Sequence, residues 1–196
     1  MNLPWILILN LCHEFIVIFV TCFFRYYTYA SSGNTDSDLA ELQAHIDHDA
    51  IKMVYIYSKP LNESQWTNVI FFHAYVVFYT ETPNGVTFWW SLEKNLDCLI
   101  LQMSTQLEDV RDKCEGGRRI SEATSWYWKP KLNIQDVSAE TFKDLYSFII
   151  VESDQLSINY RLEDNNCKKF AKSVFDRAAR NKVWKYKENG WMGIYI

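Results

Sequence analysis

Asn165-Asn166-Cys167-Lys168-Lys169-Phe170-Ala171-Lys172-Ser173-Val174-Phe175 is a loop that turns into a helix at a cysteine. Phe170, Val174 and Ala178 recur at helical spacing and form an apolar stripe. Asn165 or Asn166 can accept from the orphan N–H groups of the first turn and so cap the helix. Cys167 then lies where those N–H groups and the helix dipole favour an anion, and therefore thiolate over thiol. Lys168 and Lys169 add positive charge nearby. At this point two uses of the cysteine compete: a nucleophile built at a helix start, or a small core residue, since free cysteine is among the most buried residue types.

The 196 residues suit one ordinary domain with an appendage. A hydrophobic content of 48% is enough for a core, and the aromatic share of 16% is high. With a net charge of -4 and an isoelectric point near 5.6, the chain has no general basic footprint for nucleic acid. The five cysteines, Cys12, Cys22, Cys98, Cys114 and Cys167, are odd in number and form no CxxC pair. That argues against a zinc knuckle or a thioredoxin-type site. Cys12 and Cys22 lie in the N-terminal apolar stretch, and the other three fit a reduced, intracellular-facing protein better than a disulfide scaffold.

Residues 3–24 are mostly apolar and long enough to span a bilayer, which takes about 20 such residues. Asn10, His13 and Glu14 interrupt the run. No Lys or Arg precedes it, unlike a standard signal peptide, and Arg25 follows it. By the positive-inside rule Arg25 puts the rest of the chain in the cytoplasm. Residues 1–30 are therefore expected to be a membrane anchor, with an atypical secretory signal as the alternative. Residues 31–50 read as a polar linker with a short amphipathic helix marked by Leu39, Leu42 and Ile46. His45 and His48 beside Asp47 and Asp49 read as a solvated acidic face rather than a metal site. The domain proper is expected over residues 51–196.

Within it, residues 51–57 read as a strand, and 68–80 are a long β-branched and aromatic run. Thr82-Pro83-Asn84-Gly85 is a hairpin turn, followed by strands over 86–94 and 98–103. Ser138 is the expected cap of a helix to about residue 151, with Phe142, Leu145, Tyr146 and Ile149 on one face. Residues 156–161 are extended and lead into the Cys167 helix, and residues 183–196 carry a second hairpin signal. The fold class is α+β: an antiparallel β-meander packed on helices, behind an N-terminal apolar segment.

A cysteine nucleophile needs a base, and the base needs an orienting group. His73 is the one histidine of residues 51–196. It sits inside an apolar strand, which is costly unless its ring is paired. Alternation puts Trp89, Ser91 and Glu93 on one face of the strand across the hairpin. Glu93 is the choice for the orienting carboxylate, with Ser91 and Asn95 in reserve.

This order, histidine on a strand, polar group on the next and cysteine at a later helix start, resembles the circularly permuted branch of the NlpC-type papain-like superfamily. That branch includes proteins similar to lecithin–retinol acyltransferase and the PPPDE-type deubiquitinating peptidases. Asn166-Cys167-x-x-Phe170 is similar to the nucleophile motif of the acyltransferase group, and the resemblance covers roughly residues 51–180. It implies a permuted papain-like fold with Cys167 as nucleophile, His73 as base and Glu93 as third member. The oxyanion site would lie at the Cys167 N–H beside the Asn166 cap, and no metal or cofactor is implied. The chain departs from that group in carrying Glu93 where a second histidine is typical, and Lys168-Lys169 where the group has Glu-His.

The implied function is a thiol hydrolase or acyltransferase acting through a thioester on a peptide, isopeptide or lipid acyl bond. Trp89, Trp126 and Trp128 would wall its substrate groove. The alternative is a catalytically inactive module of the same fold, tethered to a membrane and using that groove for a partner. A third reading is an unrelated β-rich domain with Cys167 and His73 in its core.

Overall fold

In chain order the elements are β1 (Phe23–Ala30), β2 (Gly33–Ser37), α1 (Leu39–His48), β3 (Ala50–Pro60), β4 (Phe72–Glu81), β5 (Thr87–Lys94), β6 (Cys98–Ser104), α2 (Leu107–Asp112), β7 (Lys131–Val137), α3 (Phe142–Ser147), which runs into a π-helical turn (Phe148–Glu152), and α4 (Cys167–Ala178). The structure is a computed structural model that describes residues 23–30, 33–37, 39–60, 72–95, 98–112, 130–153, 155 and 166–181. The apolar run up to residue 22, Trp126, Trp128, the extended stretch 156–161 and the tail hairpin 183–196 lie outside the described residues.

Strands β3 to β6 pair antiparallel in sequence order, the expected meander. Gly85 takes φ 80, a conformation that glycine adopts without a Cβ penalty, and so lets the β4–β5 connection turn back. Thr82 closes that turn: its carbonyl accepts from Gly85 N–H at 2.9 Å and its hydroxyl from Val86 N–H at 3.0 Å.

Period-two alternation sends Val54, Ile56, Ala74, Val76 and Phe78 to one face of the sheet. There they meet Leu42 and Ile46 of α1, Phe142 and Leu145 of α3, and Phe170, Val174 and Phe175 of α4. Phe142 seats edge-on against Phe78 at 5.0 Å and Trp90 at 4.7 Å, tying α3 to the middle of the meander. The opposite face carries Tyr57, Tyr75 and Val77, covered by Val110 of α2.

The structure sharpens three expectations. Residues 23–30, expected within the apolar N-terminal segment, form β1, which runs parallel to β6 from Phe23 opposite Cys98 to Tyr29 opposite Ser104. This makes the sheet seven-stranded and mixed, in the order β2-β1-β6-β5-β4-β3-β7. In residues 31–50 the expected short amphipathic helix is α1, and the stretch is built into the fold: β2 pairs with β1, and α1 buries Leu42 and Ile46 completely in the main core. The helix expected from Ser138 begins instead behind Thr141, whose hydroxyl accepts from Asp144 N–H at 3.1 Å. Ser138 is occupied elsewhere: its hydroxyl donates to Ala178 O at 2.8 Å at the end of α4 and accepts from Glu140 N–H at 3.1 Å, in the turn before the helix.

Strand β7, unforeseen in the sequence, pairs with β3 at the sheet edge. The acidic face is only partly solvated. Asp49 is buried and accepts from Thr80 Oγ1 at 3.2 Å, and its carboxylate lies 3.1 Å from His45 Nδ1. Trp90 Nε1 in turn donates to Thr80 Oγ1 at 2.9 Å, so this polar chain pins α1 to the sheet. No helix among the described residues is long and apolar enough to cross a membrane.

If α1 belongs to the core, Leu42→Ala should lower unfolding stability in urea by about 2–5 kcal/mol, as for a fully buried leucine. A change within about 0.5 kcal/mol, usual for a surface or linker position, would contradict that placement.

Candidate active site

The α4 start is built as its sequence suggests. Asn166 stands at φ -113 and ψ 176, outside the helix, and its Oδ1 accepts from Lys168 N–H at 3.0 Å and Lys169 N–H at 3.1 Å. Cys167 therefore occupies the first helical position, buried and not disulfide-bonded. Phe170, Ala171, Val174 and Phe175 bury the apolar stripe against the sheet. Packing thus fixes the helix axis, and the cap fixes where its first turn opens.

His73 is the second residue of β4. Its Nε2 and Glu93 Oε2 are 2.6 Å apart, a short contact between groups only 3% and 0% exposed. Glu93 lies on the neighbouring strand β5, on the face that alternation assigns to Ser91 and Trp89. The same ring shares a hydrogen bond with the Cys167 thiol. The structure therefore brings Cys167, His73 and Glu93 together.

Burial pushes the His73 pKa down. The opposing charge of the Cys167 sulfur, its hydrogen bond and the Glu93 carboxylate outweigh that and raise it to about 9. Lys168 lies within electrostatic reach of the same sulfur: burial lowers its pKa and the charge on Cys167 partly restores it.

The ring has further support. Tyr75 stacks on His73 at 6.1 Å and 18°, and Tyr57 stacks on Tyr75 at 6.1 Å. The Tyr75 hydroxyl donates to Arg111 O at 2.6 Å, so α2 anchors this aromatic row. Lys59 sits directly opposite His73 in the β3–β4 register and is buried. Sequence reasoning missed it, although the alternation Tyr55, Tyr57, Lys59 points it to the histidine face.

Of the reserves for the third group, Ser91 is occupied, accepting from Gln102 Nε2 at 2.8 Å. Asn95 ends buried beside the strand that carries Glu93. Trp89 shares the face but packs against Tyr79 at 4.7 Å and Tyr55 at 5.8 Å. Four residues from Glu93, it lies about 14 Å away along the strand at about 3.4 Å per residue. It belongs to an aromatic cluster beyond the histidine rather than to the Cys167–His73 pair. Trp126 and Trp128, expected to wall the groove with Trp89, lie outside the described residues.

Compared with protein-family models, curated proteins and solved structures, the chain gives no match. Its chemistry is therefore read from this geometry.

Since the folded ring holds its proton more tightly than the ordinary value of 6.5, the stability this adds is complete below about pH 6.5 and is lost as pH rises through about 9. The gap in urea midpoint between wild type and His73→Gln should therefore narrow from about pH 6 to about pH 10. A gap that widens over that range would contradict the raised value.

Proposed function

We propose that this chain is a cysteine-dependent acyl hydrolase or acyltransferase of the permuted papain-like kind. The observation that carries the reading is the buried row Cys167–His73–Glu93, in which one imidazole touches both the thiol and the carboxylate. A nucleophile, a base and an orienting acid in contact are the three parts that thiol catalysis needs.

Each group has a distinct part. Glu93 accepts a hydrogen bond from Nε2–H, which fixes the ring and leaves Nδ1 to serve the sulfur. His73 takes the thiol proton through Nδ1, giving a thiolate–imidazolium pair. The first turn of α4, with its N–H groups and the nearby Lys168, favours the thiolate side of that exchange. The thiolate attacks the carbonyl carbon of an amide or ester, and a C–S bond forms as the carbonyl oxygen takes negative charge. The Cys167 N–H, opened by the Asn166 cap, is placed to steady that charge. As the oxyanion collapses, the C–N or C–O bond breaks, and the imidazolium proton goes to the leaving amine or alcohol. Water or an acceptor amine then attacks the thioester, giving up its proton to His73, and the thiol is restored. None of these steps calls on a metal or a cofactor.

The apolar run before β1, residues 3–22, is the part of the chain proposed to tether this site to a membrane. A second reading, a catalytically silent module of the same fold, draws support from depth: Cys167 and His73 are each only 3% exposed.

Iodoacetamide labelling of the full chain at neutral pH separates the two. The active reading predicts that Cys167 labels faster than the buried Cys98. His73→Ala should slow it by about 10²-fold or more, and Glu93→Gln by less, since the glutamine keeps an acceptor but loses the charge. Slow labelling that is indifferent to His73→Ala would support the silent module instead.

A further inference from the structure

Among the described residues, Asn95 is the only side chain with two buried polar atoms that lack a hydrogen-bond partner: both Nδ2 and Oδ1. The residue is 7% exposed. Its backbone, by contrast, is engaged, because Asn95 N–H donates to Cys98 O at 2.8 Å and closes the β5–β6 hairpin. Asparagine in a turn usually spends its side chain on nearby backbone groups, and this one does not. A buried carboxamide bonded to nothing opposes folding, and a leucine of the same branched outline would avoid that penalty. The residue is therefore not explained by the fold it sits in.

Its position suggests what it is for. The hairpin bond carries the β5 alternation one residue past Lys94, so Asn95 falls on the face of Ser91 and Glu93, about 7 Å along the strand from Glu93. The β4–β5 ladder ends at Val76 opposite Leu92; counted three residues further, that register would bring Asn95 level with His73. The carboxamide thus lies at the end of the sheet where His73 meets Cys167.

We infer that Asn95 is a substrate-binding group that pairs with an amide. Its Nδ2 donates to the amide carbonyl oxygen and its Oδ1 accepts from the amide N–H. This rests on the thiol-acyl reading above and narrows it. An amide satisfies both ends of the carboxamide. An ester offers acceptors alone and leaves Oδ1 buried without a donor. The site therefore favours peptide, isopeptide or carboxamide substrates over esters, lipid esters included.

Two alkylating probes of similar size test this on the full chain: iodoacetamide, which carries an amide, and methyl iodoacetate, which carries an ester. In both, the Cys167 thiolate forms a C–S bond and iodide leaves. Each rate is divided by that of the same probe with glutathione, which removes intrinsic reactivity. Wild type should label at Cys167 about tenfold faster with iodoacetamide than with methyl iodoacetate on this scale. Asn95→Leu should abolish the preference, leave the labelling of Cys167 by methyl iodoacetate dependent on His73, and melt no lower than wild type. Asn95→Ala gives the same readout if the leucine variant does not fold.

An equal rate with both probes in wild type, or a preference that survives both substitutions, would overturn the inference while His73-dependent labelling still upheld the thiol reading. A lower melting temperature in both variants would assign the carboxamide a structural part and also overturn it. Labelling of Cys167 that is slow with both probes and indifferent to His73→Ala would remove the thiol reading and the inference with it.

Discussion

The contact between His73 and Glu93 is the constraint on which the site depends. Two ionisable groups, almost wholly removed from water, stand 2.6 Å apart on adjacent strands. A lone carboxylate at that depth would be strongly disfavoured, and so would a lone imidazolium. Together with the sulfur of Cys167 they satisfy one another. Removing one partner of such a buried pair typically costs about 3–5 kcal/mol, because the remaining charge is left without compensation. The arrangement is poor as a means of stabilising a fold, since a well-packed apolar pair of similar volume does as well or better. Its presence near the ends of two central strands is therefore not accounted for by stability alone.

The rest of the molecule supplies the rigidity. Glu93 and His73 come from strands joined by a short hairpin, so their relative position is set by register and not by a long loop. The main core clamps α4 to the sheet through Phe170, Val174 and Phe175, and the Asn166 cap decides which residue opens the helix. A shift of the helix start by one residue would carry Cys167 about 100° round the helix axis and away from the ring. On the other side, the stacked row His73, Tyr75, Tyr57 and the Tyr75 bond to Arg111 O hold the imidazole from behind. The site thus depends on packing on both faces of one sheet.

Much of this was legible in the chain because the signals are local. Asn-Gly with β-branched runs on either side marks the central hairpin, and strand alternation alone puts Glu93 on the face of Ser91 and Trp89. The asparagine before Cys167 and the spacing of Phe170 and Val174 give the helix and its cap. The parallel pairing of β1 with β6 was not legible, because Phe23–Ala30 is aromatic and apolar enough to pass for the end of a spanning segment. What makes it a strand is a partner some 75 residues away. Gly33–Ser37 and Lys131–Val137 are polar edge strands, held by ladder bonds that leave little trace in side-chain pattern. Ser138 and Thr141 are both competent caps, and the Ser138 hydroxyl is spent on Ala178 O and on Glu140 N–H in the turn before α3. Lys59 and the orphaned Asn95 carboxamide become meaningful only once the strands are placed in register beside His73.

The central claim is that Cys167 and His73 form a thiolate–imidazolium pair in the folded chain. Its most direct test is the ultraviolet absorbance of the thiolate, followed from about pH 4 to about pH 10 as the difference between wild type and Cys167→Ser. A Cys167 thiolate that forms below the ordinary thiol range of about 8.5, and is lost from that range in His73→Ala, is the expected result. Absorbance that rises only above about pH 8.5, with or without His73, would contradict it.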